Sequence, residues 1–123
     1  MSEQPLARLR EICLALPEVT ERLSHGMPTW FVRDKKTFAN FADDHHGDGR
    51  VALWCHAPPG AQPAFAESDP ERFFVPPYVG PRGWIGVRLD GDVDWDVVAA
   101  MVEDGYRMVA PKRLLAQLDD GSP

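Results

Sequence analysis

Cysteine is scarce in this chain. Its two copies among 123 residues, Cys13 and Cys55, lie far apart in apolar surroundings, and no C-x-x-C pair occurs. That argues against a disulfide framework, a zinc knuckle or a thioredoxin-type redox pair, and leaves two buried free thiols as the expectation. Long apolar runs are missing too. None approaches the roughly 20 residues that a membrane helix needs. The start, Met1-Ser2-Glu3-Gln4-Pro5, has neither a basic nor an apolar leader, so a cytoplasmic protein without signal peptide is expected. Positive charge is also short. Thirteen Lys and Arg against nineteen Asp and Glu give a net charge of −6, which argues against avid attachment to duplex DNA through its phosphates.

Familiar catalytic patterns are lacking as well. Ser24 has no G-x-S-x-G context. The Asp43-Asp44-His45-His46-Gly47-Asp48 loop lacks the alternating ligands and closing Glu of an EF-hand, and adjacent histidines in an extended chain would point apart. This loop is therefore expected to be a solvated turn. Gly80, Gly83 and Gly86 recur every third residue, but in a turn entering a strand rather than a strand-to-helix phosphate cradle. With no nucleophile beside its base, no paired-carboxylate motif and no metal cage, the expectation is a non-enzymatic protein without cofactor or metal.

What is present belongs to an ordinary globular domain, with 44% hydrophobic and 26% charged residues. Length predicts one domain over 1–123, ordered from about residue 5 to 118; with nothing resembling a coiled coil, a monomer is the default, although an exposed sheet edge could pair. Leu6, Leu9, Ile12, Cys13 and Leu16 share one helical face, predicting a helix over 5–16 that Pro17 stops. Strands are predicted at 19–24, 29–32, 37–42, 51–55 and 84–89, with a polar hairpin turn at 33–36. A short helix is predicted at 61–68 and a turn near 71–73. Asp92 or Asp94 is placed to cap a helix burying Trp95, Val98, Met101 and Val102, and Pro111 opens a last helix with Leu114, Leu115 and Leu118 inward. A helix, a run of strands and terminal helices read as α+β: a two-layer sandwich, its antiparallel sheet covered by helices mainly on one face. The other face is then partly open to a partner.

Charge and aromatics converge on one stretch. From Pro76 to Leu89 a proline turn with Tyr78 leads through Gly80-Pro81-Arg82-Gly83 into a strand headed by Trp84, and no acid falls between Arg72 and Leu89. Such a frame suits a flat or anionic partner. Six acids crowd 90–104, and Arg107, Lys112 and Arg113 form a further basic group. A basic face arises only if the fold brings this group beside Arg72, Arg82 and Arg88. His25, at a turn stiffened by Pro28, is a candidate contact for an anion or a base. Of the four tryptophans, Trp54 and Trp95 are expected in the core, whereas Trp30 and Trp84 fit either core or groove.

Four segments together resemble the MmcQ/YjbR family of small bacterial proteins: His25-Gly26-Met27-Pro28-Thr29-Trp30-Phe31, Lys36-Thr37-Phe38-Ala39, Pro77-Tyr78-Val79 through Gly83-Trp84-Ile85-Gly86-Val87, and Gly105-Tyr106-Arg107-Met108-Val109-Ala110-Pro111-Lys112. Gly105 departs from the pattern, which often has serine there. The resemblance implies a two-layer α+β fold and a DNA-binding description. Carried onto this chain, it implies Lys36, Arg82, Arg88, Lys112 and Arg113 as phosphate contacts, Trp84 as a stacking ring, and His25 and Trp30 as further contacts. The alternative is a small-molecule or protein-binding module using the same face, with Tyr78, Trp84 and His25 dominant.

Overall fold

The computed structural model describes residues 3–120. The N-terminal apolar stripe forms α1 (Glu3–Leu14), which ends three residues before Pro17. Three antiparallel strands follow: β1 (Val19–Ser24), β2 (Met27–Val32) and β3 (Lys36–Asp43). His25 and Gly26 join β1 to β2 with φ of 53° and 79°. Paired positive φ angles make the two-residue turn whose twist matches the strands it connects. A 3₁₀ turn (His45–Gly47) leads to β4 (Val51–Cys55), and α2 (Ala61–Ser68) precedes β5 (Phe73–Phe74). A second 3₁₀ turn (Gly80–Arg82) opens into β6 (Ile85–Arg88), and α3 (Trp95–Val109) and α4 (Lys112–Asp119) close the chain.

These six strands form one antiparallel sheet in the order β1-β2-β3-β4-β6-β5. With four α-helices among the described residues, the fold is the expected α+β. Two differences from the sequence reading stand out. β2 starts at Met27 rather than Thr29, and it tolerates Pro28 at its second residue, where strand interiors give way to ends. The turn expected near 71–73 is present, closed by the Arg72 and Phe73 amides on the Asp69 carbonyl, but β5 follows it unannounced; two residues are too few to display a period of two.

Alternation along the strands sorts the side chains onto two faces. On one, Leu53, Cys55, Ile85, Val87, Val32 and Phe41 pack with Leu9 and Cys13 of α1, Val98, Val102 and Tyr106 of α3, and Leu114 of α4. Gly105 lets α3 settle onto the sheet. A Cβ there would stand 2.6 Å from the His56 carbonyl oxygen, just past β4, and 3.4 Å from that of Phe38 in β3, so the backbone there leaves room only for glycine. Tyr106 packs edge-on to Phe38 at 5.7 Å and donates its hydroxyl to the Pro17 carbonyl at 2.8 Å. Asp94 caps α3 by accepting from the amides of Asp96 and Val97, a contact worth about 1 kcal/mol. Both cysteines are free and buried here, and burial pushes the Cys55 thiol up to about 12. Both thiols therefore stay protonated and unreactive at neutral pH.

On the second face Ala42, Ala52, Trp54, Phe74 and Trp84 form a smaller cluster, with Met27 and Val79 against it. Residues 75–83 cross this face. Gln62 of α2 anchors them by donating to the carbonyls of Gly80 and Trp84 at 2.8 and 2.6 Å. The ring of Phe74 lies over Gly86, where a Cβ would come within 2.5 Å of it. No helix among the described residues is long and apolar enough to cross a membrane.

Candidate ligand-binding cleft

The crossing segment covers only part of the second face. Between it, the β1–β2 turn and the β3–β4 loop opens a cleft of about 660 Å³. Its floor comes from the strands: Asn40 of β3 and Trp54 of β4, which are direct cross-strand partners, and Met27 of β2. Its walls are His25 from the first turn, His45 and His46 from the 3₁₀ turn, and Tyr78 and Val79 from the crossing segment. Among the described residues, no Lys, Arg, Asp or Glu side chain lines it.

Aromatic edges hold the walls together. His45 stands edge-on to Trp54 with ring centroids 5.0 Å apart, to Tyr78 at 5.8 Å and to His46 at 4.1 Å. Pairs of this kind contribute roughly 0.5–1.5 kcal/mol beyond their burial. Three wall residues, His25, His46 and Tyr78, hold left-handed φ angles of 53°, 51° and 66°. Such angles are uncommon outside glycine and cluster at ligand sites and tight turns. The 43–49 loop is the exposed turn expected from sequence, with His45 as its half-buried exception. Left-handed Asp44 and His46 fold the chain back, so His45 and His46 face one another and the His45 ring is drawn onto Trp54 rather than into solvent.

Polar satisfaction fails at this place. Asn40 Oδ1, Trp54 Nε1 and His45 Nε2 are buried without a hydrogen-bond partner among the described residues. His56 Nδ1 is in the same state beside Trp84, whose ring centroid lies 5.7 Å from its own. A buried donor or acceptor left unpaired costs about 1–3 kcal/mol. Such groups, concentrated in one cleft, need partners that the described residues do not supply, ordered water among them.

Only some residues singled out from sequence gather here. His25 and Tyr78 line the cleft, and Tyr78 is 70% exposed. Trp84 is buried in the adjoining cluster at 2% exposure. Trp30 is wholly buried on the helix-covered side and donates Nε1 to Glu21 at 2.9 Å, so no ligand can stack on it. Arg10 completes that knot with a bidentate grip on Glu21, which lowers the Glu21 carboxyl below its ordinary value.

The basic residues are dispersed. Arg88 is held by Asp90 at 3.0 Å and borders a mixed-charge hollow of about 490 Å³ with Asp69, Glu71, Arg72 and Asp92 at the β5–β6 edge. Arg113 is bound to Glu18 at 2.9 Å beside β1, the opposite edge of the sheet. Arg107 is shared between Glu103 and Asp119. The two basic groups are thus kept apart rather than merged into one face. Lys36 at the start of β3, Arg82 in the second 3₁₀ turn and Lys112 at the start of α4 are exposed and form no ion pair among the described residues.

Asn40, Trp54, Met27, His45 and His46 were not legible as a site. One signal was available: Asn40 is a poor strand former in mid-strand, on the face opposite Phe41. Among the described residues no group of three or more His, Cys, Asp or Glu is placed to hold a metal ion.

Comparison with known proteins bears on the family and the fold. The family model described as YjbR matches residues 14–108. A crystal structure of the Deinococcus radiodurans protein DR2400, described as carrying the domain DUF419, superposes with a TM-score of 0.72 at 19% identity, covering 96% of this chain and 88% of that one. At that identity the likeness concerns the fold alone. No curated protein matches the chain.

Proposed function

The chain belongs to the YjbR family, and we propose that it is a binding module for a small, largely apolar molecule taken up in the cleft over Trp54. One observation carries this reading: a cleft of about 660 Å³ walled by aromatic and imidazole rings, whose floor holds buried polar atoms without partners. Volume and lining both fall within the ordinary range of small-molecule sites, apolar walls with a few convergent polar groups. The role proposed is binding rather than catalysis, since among the described residues no nucleophile–base pair or carboxylate pair faces the cleft.

Low-affinity, salt-dependent binding of DNA is the competing reading. Its support is the exposure of Lys36, Arg82 and Lys112 without ion-pair partners among the described residues. Its weakness is that Arg88 and Arg113 would have to leave carboxylates to meet phosphates. Proposed DNA contacts at Trp84 and Trp30 suffer equally from burial.

Thermal melting separates the two. A panel of neutral aromatic fragments is expected to raise Tm by mass action. Tyr78→Asn, which keeps a residue tolerant of left-handed φ but removes the ring, is expected to abolish that rise without lowering the ligand-free Tm appreciably. A short single-stranded DNA that stabilises the protein at low salt and not at high salt, with every fragment silent, would favour the DNA reading instead.

A further inference from the structure

Resting on that reading of the cleft, we infer that its ligand is an uncharged planar ring whose edge carries a carbonyl beside an N–H, as in a lactam or cyclic imide. Charge is the first constraint. Without a Lys, Arg, Asp or Glu side chain in the lining, an ionised ligand would lose hydration and meet only imidazoles as counter-groups. An uncharged ligand avoids that loss.

Hydrogen-bonding capacity is the second. Trp54 is 1% exposed, and its indole N–H only donates. Asn40, directly opposite on β3, presents an unpartnered carboxamide oxygen, which accepts. A lone donor and a lone acceptor on directly paired strand residues are complemented by one compact group, a cis-amide edge. Its carbonyl accepts from Trp54 Nε1 while its N–H donates to Asn40 Oδ1. An alcohol or ether edge satisfies one of the pair and leaves the other buried and unpaired.

Access is the third. These polar atoms are closed to solvent, and the His45 ring stands against Trp54 at 5.0 Å. The ligand ring therefore takes the position His45 holds beside Trp54, and the 3₁₀ turn swings outward. His45 Nε2, itself buried and unpartnered in the closed cleft, reaches water or the ligand when the turn moves.

The test is an NMR titration of the isotopically labelled full chain with four probes of similar size: 2-pyridone, N-methyl-2-pyridone, toluene and benzoate. 2-Pyridone is expected to shift the Trp54 indole N–H, the Asn40 side-chain amide and the His45 ring resonances together. Blocking its N–H by methylation is expected to weaken binding about tenfold, the effect of losing one good hydrogen bond. Trp54→Phe, which removes the donor and keeps an aromatic floor, should weaken 2-pyridone by a similar factor and leave toluene unchanged. Should that variant fail to fold, the comparison of 2-pyridone with its N-methyl form on the natural protein decides alone. Toluene binding as tightly as 2-pyridone, or benzoate binding more tightly at the same resonances, overturns the amide-edge inference and leaves the cleft reading standing. Silence of the cleft resonances toward all four probes overturns both.

Discussion

On the helix-covered face of the sheet, apolar side chains interlock with α1, α3 and α4, and the polar groups among them are paired: Trp30 Nε1 with Glu21, Tyr106 Oη with the Pro17 carbonyl. The opposite face carries a smaller cluster under a single crossing segment. Asn40, His45, Trp54 and His56, whose buried side-chain polar atoms lack partners among the described residues, lie on or above it. Both faces belong to the same strands, so sequence composition does not separate them. The difference lies in what each was shaped to meet. One face is complementary to the protein's own helices; the other keeps buried polar atoms that no described residue pairs, the contrast on which the binding reading rests.

Removing packing from the helix-covered face tests that contrast most strongly. Phe38→Ala should destabilise the fold by about 3–5 kcal/mol in a denaturant titration, because Phe38 is fully buried against Tyr106. A loss below about 1 kcal/mol would mean that this face is not the stabilising core. Next is Gly105→Ala. The added methyl meets the His56 carbonyl, so a loss of about 1–3 kcal/mol is expected, with the shift in unfolding midpoint as its measure.

Glu21→Gln should cost roughly 1–2 kcal/mol at neutral pH, through the weakened grip of Arg10 and Trp30 on the carboxylate. Arg10 is partly exposed, which keeps the figure modest. Its pH dependence sharpens the point. Hydrogen bonding to Arg10 holds the folded Glu21 carboxyl below its unfolded value of about 4.3. The stabilisation is therefore complete above that value and is lost as pH falls through the lower, folded one. Relative to the natural chain, the glutamine variant should show a flatter decline of stability below about pH 4. Trp54→Phe on the open face should have the smallest effect, within about 1 kcal/mol of neutral, since the deleted N–H has no partner to lose. A loss as large as that of Phe38→Ala would place the two faces on an equal footing and undo the comparison.

Much of the architecture was legible along the chain. Helical periodicity marked α1, α3 and α4, alternation and β-branched or aromatic residues marked β1 to β4, and Asp94 announced its helix. The site was legible only in part. His25 and Tyr78 stood out through turn chemistry, and both line the cleft. Asn40 looked like an interruption, Trp54 like core and the His45-His46 pair like a solvated turn. Trp54 is in fact buried, yet its one polar atom is unpartnered in the cleft floor, a property of its neighbours rather than of its residue type.

By itself the sequence determined most of the elements, β5 excepted, the α+β class and the membership of a family, because local periodicity, turn residues and short motifs act over a few neighbouring positions. Tertiary structure decided three things that local signals do not contain. It seated Asn40 opposite Trp54 by strand register, drew His45 onto that pair through the left-handed angles of a loop, and sent Arg88 and Arg113 to opposite edges of the sheet. Each depends on contacts between residues distant in the chain. Register, loop closure and ion pairing settle those contacts only once the whole sheet has formed.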